Sequence, residues 1–89
     1  MSVWPAKDPD EILDYTITWE LEDGETIVTS DFSVVDGDVE IDSDSVDGLV
    51  TTVWLSGGTV NTLCRVLNRI VTSEDRTYDK TVKLRIRTK

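Results

Sequence analysis

The stretch from Asp36 to Asp47 (Asp-Gly-Asp-Val-Glu-Ile-Asp-Ser-Asp-Ser-Val-Asp) holds the densest set of oxygen ligands in the chain. Calcium takes about six to eight oxygens, gathered by a tightly turning loop that needs glycine at its sixth position. Ile41 stands at that position here, and acids alternating along a strand line up in a row instead of converging. The expectation is a solvated acidic face without a bound metal. Eighteen acids among 89 residues make a pair of carboxylates at glycosidase spacing unavoidable by chance, so such a pair carries no information. Histidine is absent, which removes the common general base and every triad built on it. Cys64 is the single cysteine, so no internal disulfide can form and a zinc site would need carboxylates alone. A lone thiol fits a reducing compartment such as the cytoplasm. No catalytic residue, metal ligand or cofactor is expected.

Two sets of residues remain as candidates for contact with other proteins. Lys83, Arg85 and Arg87 alternate with Val82, Leu84 and Ile86 near the end of the chain. As a phosphate-binding stripe this row lacks interleaved aromatic residues. Two readings stay open: an edge strand guarded by charge, or a contact to an acidic surface such as the acidic half of a sibling subunit. The second set is Val3, Trp4 and Pro5, in an arm bounded by Pro5 and Pro9. Trp4 either folds back over one end of the domain or anchors in a neighbouring protein, where one tryptophan can dominate binding. Trp19 and Trp54 are expected in the core, Trp54 because it stands between Val53 and Leu55 in a segment read as buried on both faces.

The charge is unevenly distributed. Net charge is −9, with −14 on residues 1–50 and +5 on residues 51–89. Overall acidity argues against nucleic acid, which needs many Lys and Arg facing phosphate. An acidic half and a basic half suit stacking of like copies, although neutralisation within one fold is an equal alternative. No apolar run approaches the ~20 residues that cross a bilayer, and the opening MSVWPAKDPDE lacks the basic start and apolar stretch of a secretory leader.

The elements that must position these residues read as strands. Tyr15, Ile17, Trp19 and Leu21 alternate with polar residues, and Asp23-Gly24 supplies a turn towards a second strand over 26–32, predicting a hairpin. A short acidic strand carries Val39 and Ile41, residues 42–48 read as loop, and 49–55 reads as a central strand. Residues 60–72 fit either helical or strand spacing, and Val66, Ile70 and Val71 with the flanking turns favour strand. Pro9 is well placed to open one helical turn at residues 10–13. The whole predicts an all-β fold: one immunoglobulin-like β-sandwich of six to seven antiparallel strands over residues 14–89, preceded by an extended arm, residues 1–13. The antibody cysteine pair is missing.

The blocks Trp4-Pro5-Ala6-Lys7-Asp8-Pro9-Asp10-Glu11-Ile12-Leu13-Asp14-Tyr15 and Thr52-Val53-Trp54-Leu55-Ser56-Gly57-Gly58-Thr59, with Asn68-Arg69-Ile70 and the segment from Arg76-Thr77 to Arg87, give the chain a resemblance. It is similar to small structural proteins of tailed bacteriophages, the fiber-tail or head-tail adaptor proteins. That resemblance implies a virion component made in the host cytoplasm, with a β-sandwich present in symmetric copies and no catalytic residues to carry over. Its partners would be other phage structural proteins of the capsid, neck or tail, without nucleic acid or membrane. The alternative is a capsid-decorating or receptor- and carbohydrate-binding sandwich, for which Tyr78 and Trp4 are the candidate exposed aromatics. Removing residues 2–10 is expected to leave the isolated fold largely intact and to abolish incorporation.

Overall fold

Where apolar and polar residues alternate, the chain is strand, and no described residue is helical; the computed structural model describes residues 2–89, with side chains from Val3 onward. The strands are β1 (Ser2–Val3), β2 (Leu13–Thr18), β3 (Ile27–Asp36), β4 (Val39–Asp47), β5 (Val50–Gly57), β6 (Thr62–Thr72) and β7 (Thr77–Ile86). They form two sheets, ordered β1-β7-β6-β3 and β2-β5-β4. The six longer strands pair antiparallel, whereas β1 runs parallel to β7. Apart from that first strand, the order is the C-F-G and B-E-D order of an immunoglobulin sandwich. The all-β sandwich read from the sequence is therefore the fold, and residues 62–72, ambiguous by spacing, are strand.

Each sheet buries one row of side chains, since successive residues point to opposite faces. Tyr15 and Ile17 of β2, with Trp19 just beyond it, Val53 and Leu55 of β5, Val66 and Ile70 of β6, and Val82, Leu84 and Ile86 of β7 meet in the middle. The core also holds a polar cluster. Asn68, fully buried, accepts from the Trp19 indole N–H at 3.1 Å and the Thr51 hydroxyl at 2.7 Å, and donates to Ser30 Oγ at 2.9 Å and the Asp31 carbonyl at 3.1 Å. Every hydrogen-bonding position of that amide is used, which is the condition for burying it.

Several local expectations are corrected. The turn at Asp23-Gly24 does not close a hairpin: β2 pairs with β5 and β3 with β6, so the chain crosses from one sheet to the other there. The buried Glu25 carboxylate explains the crossing. It accepts from the Thr72 hydroxyl at the end of β6 and from Arg76 at 3.3 Å, and Ser73 N–H donates to the Thr26 carbonyl at 2.8 Å. These bonds hold the segment against β6, and the Thr72 bond above all keeps the Glu25 carboxyl below its usual range despite burial. The acidic residues 42–47, read as loop, continue β4; as an edge strand it leaves their side chains in water, so composition did not forbid pairing. Residues 9 and 10 form a turn, closed by Glu11 N–H to the Asp8 carbonyl at 3.0 Å, and no helical turn follows. Two glycines are required by close approach. A Cβ on Gly37 (φ +100°) would stand 2.3 Å from Cys64 Sγ, and one on Gly58 (φ +102°) would stand 3.0 Å from Ile86.

Candidate protein-contact surface

The arm and the last strand form one surface because they are neighbours in one sheet. Val3 is in register with Lys83, the Trp4 N–H donates to the Lys83 carbonyl at 2.9 Å, and the Lys7 N–H donates to the Arg85 carbonyl at 3.0 Å. Alternation then sorts the side chains. Val82, Leu84 and Ile86 face the core, while Lys83, Arg85 and Arg87 face outward with Val3, which is 67% exposed, and Pro5 is exposed beside them. On the other side of β7, Arg65 lies opposite Lys83 and Leu63 opposite Arg85. Val3, Pro5, Lys83, Arg85 and Arg87, far apart in sequence, thus share one end of the outer face of this sheet. Leu63 and Arg65 complete it; sequence reasoning missed them, because only the pairing register of β6 with β7 reveals them.

Trp4 parts from this set. It is buried between the edges of the two sheets, stacked on Tyr15 at 4.9 Å between ring centroids, with its indole N–H donating to the Thr16 carbonyl at 3.1 Å. The Tyr15 hydroxyl donates to the Pro5 carbonyl at 3.0 Å, and burial pushes its pKa up to about 12, so it remains a neutral donor. Lys7 is buried as well, its ammonium donating to the Gly57 carbonyl at 2.6 Å and the Asp8 carbonyl at 2.9 Å. Desolvation lowers its pKa, opposed by Glu11, Asp8 and Asp10. An arm expendable to the fold does not agree with this packing: its loss takes away a core tryptophan and a buried ammonium.

The ion pairs leave the basic end uncompensated. Among the described residues the pairs are Arg65–Asp36, Arg69–Asp79, Arg76–Glu25 and Lys89–Glu11, and none engages Lys83, Arg85 or Arg87. Lys80 lies 4.8 Å above the Trp19 ring. The fork of Arg69 onto Asp79, at 2.7 and 2.8 Å, holds that carboxyl below its usual range, but so exposed a pair contributes little to stability.

The opposite face carries the clearest departure from expectation. Trp54 is not in the core: it is 41% exposed on the outer face of the β2-β5-β4 sheet. Thr51, Val53 and Leu55 take the inward positions of β5, and among the described residues no further layer packs on the other side of the strand. Asp14 and Ser43 are its register partners on the two neighbouring strands, and Glu40 pairs with Ser56 one step along. The Ser56 hydroxyl donates to Asp42 Oδ1 at 3.0 Å, which brings that carboxylate onto the same face. Tyr78, by contrast, is half-buried against Trp19, with ring centroids 6.4 Å apart, so neither it nor Trp4 offers an exposed aromatic platform.

Three concavities among the described residues lack converging chemistry. A groove of about 550 Å³ at the far end is lined by Leu21, Ile27, Val46 and Leu49 and by turn backbone. Its buried carboxylate, Glu25, is already held by Thr72, Arg76 and the Glu22 N–H. Hollows of about 440 and 210 Å³ flank Trp4. No group of three or more His, Cys, Asp or Glu that could hold a metal ion occurs among the described residues, and no helix long and apolar enough to cross a membrane is found among them.

Comparison with known proteins supplies the identity that the surface alone does not. No curated protein matches the chain. The family model of the podophage GP4 fiber-tail adaptor protein gp77 matches residues 7–85. That span takes in the buried Lys7 and every strand from β2 to all but the last residue of β7, and leaves out Trp4 and Pro5. The match covers nearly the whole sandwich, and the chain belongs to the podophage fiber-tail adaptor family.

Proposed function

We propose that the chain is a non-enzymatic joint of the virion, which binds other tail proteins in symmetric copies at the fiber–tail junction. Val3, Pro5, Lys83, Arg85 and Arg87 form its contact surface, and Trp4 acts from inside as the peg that fixes the arm beside them. It is made in the host cytoplasm, and neither nucleic acid nor membrane is among its partners. One observation carries this reading: Lys83, Arg85 and Arg87 stand together beside the exposed Val3, and none of the three takes part in an ion pair among the described residues. An aliphatic patch framed by un-neutralised cations suits an acidic protein surface, where opposite charge speeds encounter and fixes register. Family membership supports the location, since the matching family is named for a fiber–tail adaptor.

Incorporation into particles tests the proposal. The triple variant K83E/R85E/R87E should melt close to the parent, because exposed substitutions away from special features usually fall within about 0.5 kcal/mol. It should nevertheless be lost from assembled particles. Particles carrying the variant at the parental copy number would refute the contact surface.

A further inference from the structure

We propose that copies of this chain stack face to back, the Trp54 face of one receiving the Val3–Arg85 end of the next. The proposal rests on the multi-copy reading above and names the two surfaces that meet.

Both surfaces lie at the same end of the sandwich. Gly57 pairs with Val39, Ile86 pairs with Thr62, and Gly58 packs against both Ile86 and Val39. Trp54 with Asp14, Glu40 and Asp42 faces outward there from one sheet, and Lys83, Arg85 and Arg87 face outward there from the other. The two sets are complementary in kind. A 41% exposed tryptophan is ringed by acids, and the 67% exposed Val3 and 37% exposed Leu63 are ringed by bases. None of these acids and bases takes part in an ion pair among the described residues.

Geometry explains why the charges do not neutralise one another at home. They lie on opposite faces of a body measuring 42 × 20 × 16 Å, and screening at physiological salt removes most interaction beyond about 8–10 Å. A second copy laid on the first brings them into contact. An arginine arriving over Trp54 gains a cation–π contact, and a tryptophan at the centre of a polar rim is the usual form of a binding hot spot. Because two different patches meet, the contact is heterologous, and repetition leads to a closed ring or a continuing stack. A face 20 Å wide engaged over half its length covers roughly 400 Å² per copy, about 800 Å² in total, which is below the range of stable specific interfaces and within that of weak, transient ones. Pairwise association is therefore weak and strengthens on closure.

Sedimentation of the full chain at high concentration tests this. The parent should self-associate at low salt, with affinity falling about tenfold or more at high salt. W54A, whose side chain is exposed and not needed for the core, should keep its melting temperature and lose about thirtyfold in self-affinity. K83E/R85E/R87E and D14K/E40K/D42K should each be monomeric, and their mixture should associate again, because every contact in it joins opposite charges. A mixture that stays monomeric, or W54A associating like the parent, overturns the stacking. So does a parent that is monomeric at every concentration, and the adaptor reading then still stands or falls by incorporation into particles.

Discussion

Trp4→Ala should cost the fold about 3 kcal/mol, near the lower end for truncating a buried aromatic because the residue sits at the rim of the core. For a domain of this size that lowers the melting temperature by on the order of 15 °C. The loss has separable parts. Trp4 covers the gap between the edges of β2 and β7, stacks on Tyr15 and satisfies the Thr16 carbonyl. Trp4→Phe keeps the first two and gives up the hydrogen bond, so it should fall between parent and alanine variant. Thermal denaturation followed by circular dichroism checks the series. A melting temperature for Trp4→Ala within a few degrees of the parent would mean that the arm is not part of the cooperative unit. Deleting residues 2–10 is a poor test of binding for the same reason: any loss of incorporation would be confounded with loss of the fold.

Asn68→Ala should be comparably severe, and for a different reason. The substitution creates only a small cavity, but it strands the Asp31 carbonyl, removes the acceptor of the Thr51 hydroxyl and leaves the Trp19 N–H with only its longer bond to Thr51 Oγ1 at 3.3 Å. Each buried group left unsatisfied costs about 1–3 kcal/mol. The Thr51 hydroxyl can turn to the Ile17 carbonyl, 3.4 Å away, and recover part of its loss. A total of about 3 kcal/mol is expected, a large fraction of the stability of a domain this small. Chemical denaturation gives the number directly. A loss below about 0.5 kcal/mol, the level of an ordinary surface substitution, would show that the amide cluster is not needed.

Strand existence was legible in the sequence, and strand pairing was not. Val82, Leu84 and Ile86 announce an inward row by alternation alone, and Tyr15 and Ile17 do the same. Asp23-Gly24 announces a turn equally well, yet turn chemistry does not say which sheet the next strand joins. That choice was made by the buried Glu25 and its bonds to the end of β6, residues far away in sequence. Acids and serines hid the second half of β4, because an edge strand can pair through its backbone while its side chains stay in water.

The same limit governs the surface. The basic row on β7 could be read from alternation, and the extended arm that carries Val3 and Pro5 from the prolines, but not which of its apolar residues stays exposed. Leu63 and Arg65 could not, since they reach that row only through the register of β6 with β7. Trp54 misled because a run of apolar and β-branched residues looks buried on both faces, and only the sheet order shows that one face of β5 lies open. Thr51 and Asn68 are the counterpart: polar by type, yet fully buried because each satisfies the other. The charge asymmetry between the chain halves was visible at once. That it remains un-neutralised at Lys83, Arg85 and Arg87 required coordinates.

The most direct test is acylation of Lys83, compared between the isolated chain and assembled particles, with peptide mass spectrometry as the readout. If the basic end is the joint, Lys83 should react freely in the isolated chain and several-fold more slowly in particles. Equal reactivity of Lys83 in both states would contradict the account.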